Sequence, residues 1–336
     1  MSKISLRLNP RSILFCQKLK ISINKLHSRR MSHTTDETIR GEIVFKYLVE
    51  YNLVEAVAHI LTYVNPNCDN GFALKFSAAS GYTEIVKLLL AHPEIEVHDI
   101  ALESASARGH LETVSYLIAD PRFVNKDGAL AQAAEYGFAD IVRLLLTSEN
   151  VNPGFGNNHA IMMAVRNNHL DVVRQLFMDP RVNPSVDDNC VIGWAASEGH
   201  VDIVEALLAD RRVNPAANHN YAIRMASFYG HTEVVRMLLT DPRVDPSADR
   251  QYALNHASIR GHVDVVKLLY TRKLTLNEKI SALKAASKNH CEDTVRLWLG
   301  YLGSEVTANL YLNMKHFLNP TINKLWKDHV SRCGKF

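Results

Sequence analysis

Asp171-Val172-Val173, Asp202-Ile203-Val204, Glu233-Val234-Val235 and Asp264-Val265-Val266 follow one another at intervals of 31 residues. Each triplet follows a Gly-His pair or a near equivalent and runs into a Leu-Leu or Leu-Phe pair. A fixed period of this size marks stacked supersecondary units rather than one globular core. Anchored on the acidic-x-Val triplet, nine units are visible, at Glu55, Glu84, Glu112, Asp140, Asp171, Asp202, Glu233, Asp264 and Asp293. The middle spacing is regular and the ends drift, as expected where terminal units face solvent on one side. Arrays of this kind present surfaces more often than they build reaction centres, so the period predicts a binding protein.

Residues 221–246 show why one unit folds as it does. Ala222, Ile223, Ala226 and Ser227 fall at helical spacing, and Gly230 is placed to stop that helix in a left-handed cap. Thr232 is expected to cap a second helix whose apolar face is Val234, Val235, Leu238 and Leu239. Asp241-Pro242 ends it, and Val244-Asp245-Pro246 is an extended arm to the next unit. Helices of about eight to ten residues do not persist alone in water. Stacking must therefore stabilise them, and the small pairs Ala195-Ala196, Ala226-Ser227 and Ala257-Ser258 permit close approach.

Helix, Gly-His, acidic-x-Val, Leu-Leu and a Val-Asn arm resemble ankyrin repeats over about residues 41–300. The resemblance implies an all-α, ankyrin-type repeat solenoid of stacked helix-turn-helix units with terminal capping helices. Two departures stand out. The period shortens from 33 to 31, one residue being lost where Asp-Pro-Arg replaces the Gly-Ala that usually follows the second helix and one before the first helix. The Thr-Pro-Leu-His helix start is also absent, with Tyr221-Ala222-Ile223-Arg224 and Tyr252-Ala253-Leu254-Asn255 in its place. Hairpin fingers are therefore expected to be short, or turns only. Residues 301–336 carry Leu310, Leu312, Met314 and Phe317, then Ile322, Leu325, Trp326 and Val330, at roughly helical spacing around Asn319-Pro320. They are expected to form a helical cap, with a separate functional tail as the alternative.

Charge is unevenly placed along the 336 residues. Of 38 Lys and Arg, eight lie in residues 1–35, a stretch without acids. The remainder is mildly acidic, with 30 basic against 35 acidic residues, which argues against a nucleic-acid groove. Residues 1–40 are expected to be a disordered basic segment. Their composition also resembles a mitochondrial transit peptide, and Met31 offers a second possible start. Five dispersed cysteines without a Cys-x-x-Cys pair fit a reducing compartment. No apolar run approaches the roughly 18 residues of a membrane span. A monomeric cytoplasmic protein is expected, with mitochondrial import as the alternative.

Chemistry-bearing patterns reduce to structure. His110, His200, His231, His262 and His290 are read as one repeated position after Gly or Asn, serving the inter-helix turn. Units about 10 Å apart would hold them too far apart for zinc, whose nitrogen ligands lie near 2 Å. Asp171, Asp202, Glu233 and Asp264 fall in the first turn of the second helix, where negative charge offsets the helix dipole. Phosphate-loop, metalloprotease and nucleophile-elbow patterns are absent from the sequence. No enzyme activity, catalytic residue, cofactor or metal site is expected.

The resemblance implies that partners are recognised on the concave side, by finger tips and exposed first-helix positions. Transferred residue by residue, these are Arg166, Asn167, Asp187, Asp188, Trp194, Glu198, Asn218, His219, Arg224, Phe228, Tyr229, Asp249, Arg250 and Arg260. They vary between units while the stacking positions do not. The expected function is a non-catalytic protein-interaction scaffold for an unidentified protein partner. The alternatives are a recruiting adaptor, for example of a ubiquitin ligase, docked through residues 301–336, and a mitochondrially targeted repeat protein.

Overall fold

The computed structural model describes residues 35–270 and 274–333. The expectations placed on residues 1–34, including the basic arm, the transit peptide and the start at Met31, lie outside the described residues. The described residues contain α-helices and short 3₁₀ turns but no strand. They divide into two compact units, residues 35–77 with 84–96, and residues 78–83 with 97–333.

In the first unit, α1 (Thr35–Glu50) packs on α2 (Val54–Ile60), followed by α3 (Cys68–Ala79) and α4 (Thr83–Leu90). Phe45, Leu48, Val49, Val57, Leu74, Ile85 and Leu89 are buried there. Because α1 begins at Thr35, residues 35–40 are helical, and the boundary expected at residue 41 falls inside a helix.

In the second unit the helices come in pairs. First helices are α5 (Asp99–Ala107), α7 (Asp127–Glu135), α9 (Phe155–Arg166), α11 (Val186–Glu198), α13 (Ala217–Tyr229), α15 (Ala248–Arg260) and α17 (Leu276–Lys288). Their partners are α6 (Leu111–Ala119), α8 (Ala139–Leu146), α10 (Leu170–Met178), α12 (Val201–Ala209), α14 (Thr232–Leu238), α16 (Val263–Leu269) and α18 (Glu292–Leu302). First helices stack on first helices and second on second. Ala222, Ile223 and Ala226 of α13, and Val234, Val235 and Leu238 of α14, are buried at these seams.

The αL residue closing α13 is Gly230, at φ 84° and ψ 21°. Thr232 does not cap α14: it is the helix's first residue, and the preceding His231 makes no side-chain cap bond. That imidazole reaches across the seam instead, donating from Nε2 to the carbonyl of Ser197 at 2.8 Å. His110, His200 and His262 do the same to Ala79, Arg166 and Phe228. The expected turn role of these histidines is thus an inter-unit role. His169 joins the set through the carbonyl of Glu135. His290 does not, since it occupies the glycine position at φ 62°, and Cys291 Sγ donates to Ile259 O in its stead.

The Asp-x-Arg turn after the second helix, Asp-Pro-Arg in most units that carry it and Asp210-Arg211-Arg212 in one, forms a second stitch. Asp210 accepts from Arg212 Nε and Nη2, and the same guanidinium donates to the carbonyls of Val182 and Phe177 in the preceding unit. Asp179-Arg181 and Asp241-Arg243 repeat the clamp onto Val151 and Val213. The hydrogen bond from arginine, opposed by partial burial, holds each aspartate below its ordinary carboxylate pKa. A folded-state pKa below the unfolded value, about 3.9, gives stability that is complete above that value and lost as pH falls through the folded one. Arg212→Ala should therefore cost about 1–2 kcal/mol at pH 7 after allowing for its exposure. Urea unfolding of both forms should show this gap narrowing in strong acid to what the two carbonyl bonds contribute; a gap independent of pH would remove the aspartate from the clamp.

Beyond α18, α19 (Ala308–Met314) and α20 (Pro320–Arg332) add a further helix pair, with α20 packed on α18. Trp326 Nε1 donates to Ser287 Oγ at 3.0 Å, just as Trp298 Nε1 donates to Ser258 Oγ one unit earlier. Residues 303–332 thus occupy the place of one more degenerate repeat.

Candidate partner-binding face

Five arms among the described residues lead into the next first helix through an unusual turn. Asp187-Asp188-Asn189, Asn218-His219-Asn220 and Asp249-Arg250-Gln251 all adopt left-handed conformation, with φ between 46° and 62°. Asp69-Asn70-Gly71 and Gly156-Asn157-Asn158 do likewise. Three consecutive left-handed residues are costly for most side chains, on the order of 1–2 kcal/mol each, and least so for Gly, Asn and Asp. That composition is what the turns mostly use. The third side chain recovers energy by accepting a backbone N–H from the next arm: Asn189 Oδ1 from Asn214 at 2.7 Å, and Asn220 Oδ1 from Asp245 at 2.8 Å. The fingers are therefore turns rather than hairpins. The left-handed turn rotates residues 1 and 2 outward, so Asp187, Asp188, Asn218, His219, Asp249 and Arg250 are exposed while Asn220 is buried.

The other expected positions lie on the first helices. Arg166, Asn167, Glu198, Tyr229 and Arg260 are exposed at or just beyond helix ends; Trp194, Arg224 and Phe228 are half-buried. Trp194 lines a cleft of about 270 Å³ with Asp188, Asn218 and Tyr221. Gly193 makes room for that tyrosine, because a Cβ there would lie 2.5 Å from its ring.

The structure brings one subset together, on α13 and α15. Arg260 lies over the Phe228 ring at 4.0 Å, and Phe228 meets Tyr229 edge-on with centroids 4.9 Å apart. Arg224 lies over Tyr252 at 4.4 Å and pairs with Asp249 at 3.1 Å. Tyr252 stacks on His256 with centroids 3.9 Å apart, and His256 contacts Phe228. Burial first, then the charges of Arg260 and Arg224, hold the His256 imidazole below its ordinary pKa, which favours the neutral ring. Arg166, Asn167, Asp187 and Asp188 are not part of this cluster; Asn167 donates to Glu135 O, and Asn157 to Asp187.

Tyr252 and His256 were not among the expected positions. The 31-residue period places Tyr252 on Tyr221 and His256 on Trp194 two units back, so the register could have found them. Charge also changes sign along these helices. Asp99, Glu103, Asp127, Glu135, Asp187, Asp188 and Glu198 face a single Arg166 on α5, α7, α9 and α11. On α13, α15 and α17, Arg224, Arg250, Arg260, Lys279, Lys284 and Lys288 stand against Asp249 and Glu278.

No helix among the described residues is long and apolar enough to cross a membrane. Among these residues, no cluster of His, Cys, Asp and Glu has metal-holding geometry. A family model described as ankyrin repeats matches in three overlapping copies, over residues 102–188, 161–249 and 223–309. No curated protein matches the chain. The matched residues cover more than half of its length and coincide with the stacked pairs from α5 to α18, and the chain belongs to the ankyrin repeat family.

Proposed function

We propose that the chain is a non-catalytic protein-interaction scaffold that holds its partner on the first-helix face and finger turns of α9 to α17. Ankyrin repeats generally mediate protein–protein interaction. The single observation that carries the reading to this face is the interlocked cluster of Arg224, Phe228, Tyr229, Tyr252, His256 and Arg260. Arginine and tyrosine dominate binding hot spots, and here ring stacking fixes their rotamers before any partner arrives, which lowers the entropy cost of association. The recruiting-adaptor alternative needs a docking element within residues 301–336. Ile322, Trp326 and Val330 are fully buried, which supports a capping role instead. The same reading takes the chain as monomeric and cytoplasmic.

Affinity capture with the full chain, followed by Tyr229→Ala and Arg260→Glu, tests the face. Either substitution should weaken a captured partner by about 1–3 kcal/mol while leaving the melting temperature unchanged. Undiminished capture by the double variant would move the site elsewhere.

A further inference from the structure

We infer that the α13–α15–α17 part of this face binds an acidic peptide segment, whose carboxylates engage Arg224, Arg260 and Lys284. The inference rests on the proposed scaffold role and adds the chemistry of the partner.

Three observations converge. First, the first helices reverse their charge between α11 and α13, so the cationic stretch is bounded and not a property of the whole array. Second, apart from Arg224, which pairs with Asp249, these cations are presented rather than neutralised. Arg260, Arg250 and Lys284 have no carboxylate partner among the described residues, and Arg260 is instead held flat over Phe228. A guanidinium stacked on a ring keeps its N–H edge free, and that edge matches a carboxylate bidentately. Third, a donor is left waiting: Arg224 Nε is buried without an acceptor, although its Nη2 reaches Asp249. Asn255 Oδ1, one unit on at the same register, is also buried and unpaired, and as an acceptor it suits a peptide N–H rather than a carboxylate. An unmet buried polar atom costs stability unless a ligand completes it.

Size and charge select the class. Three first helices about 10 Å apart span roughly 20 Å, the length of about six or seven extended residues. A long polyanion such as a nucleic acid would run on into the carboxylates of α11, Asp187, Asp188 and Glu198, and be repelled there. A short acidic stretch in a polypeptide would not.

Selection of a random peptide library on the full chain tests this. Peptides that depend on Tyr229 should be enriched in Asp and Glu, and a fluorescein-labelled acidic octamer taken from them should bind more weakly as salt rises. Arg260→Glu and Lys284→Glu should each weaken that octamer at least tenfold, whereas Arg236→Glu on α14 should leave it within twofold. Tyr229-dependent peptides without acid enrichment, or a glutamine version of the octamer binding equally well, would overturn the acidic partner and leave the scaffold face standing. An eight-nucleotide single strand that outcompetes the octamer would also overturn it, in favour of nucleic acid. Selection yielding only peptides indifferent to Tyr229 would sink the face itself, and the inference with it.

Discussion

Replacing Trp326 with alanine is expected to lower the unfolding free energy by about 3–5 kcal/mol, the range for emptying a large aromatic site in a packed core. Trp326 and Trp298 are fully buried. Each indole spans the seam to the serine of a preceding first helix, Ser287 or Ser258. Loss of the ring opens a cavity and strips Ser287 Oγ of its donor in a site closed to solvent.

The consequence should also be local before it is global. In a stack where each unit contacts only its neighbours, stability is roughly a sum of unit and interface terms. Hydrogen exchange in Trp326→Ala should therefore accelerate first in α18 and α17 and least in α7. Trp326→Phe, which keeps most of the buried area and loses the N–H, should cost only about 1 kcal/mol. An alanine variant with an unchanged urea midpoint would make residues 303–332 a separable tail, and the adaptor reading would regain its ground.

How far these features were legible in the sequence depends on whether their cause is periodic. Val234, Val235 and Leu238 bury because a helix repeats at 3.6 residues and the seam is apolar, and both facts can be read from spacing. The glycine cap at Gly230 was equally visible, since a terminal glycine before a new helix has few other uses. The capping role assigned to Thr232 failed because local capping rules say nothing about the neighbouring unit, and His231 and Gly230 already complete that turn. His290 was misplaced by one position because a histidine beside an asparagine imitates the Gly-His pair, while the acid two residues past Cys291 marks the true register. The candidate face was half legible. Arg224, Phe228, Tyr229 and Arg260 could be found from register. Which rings they meet depends on side-chain direction across a seam, and single-unit spacing does not encode that.

Gly230→Ala carries the other large expected effect, about 2–4 kcal/mol, and its two causes can be separated. At φ 84° an L-residue is strained by about 1–2 kcal/mol. A Cβ would also stand 2.5 Å from His262 Nδ1, so the ring must move and give up its 3.0 Å bond to Phe228 O. That bond contributes about 1 kcal/mol, and close overlap in a packed seam adds to it. His262→Ala alone should cost the hydrogen bond and the ring's packing. In that background Gly230→Ala should cost only the backbone strain, so the two substitutions together should be less damaging than the sum of each. Urea titration of the four proteins gives the coupling directly. Strict additivity would mean that the histidine does not rest on the glycine, and that the seam between α14 and α16 is held by its aliphatic side chains alone. The sign of the coupling therefore tests the Gly-His pair as a contact between units, with His110, His169, His231 and His262 each seated on the glycine of the unit before it.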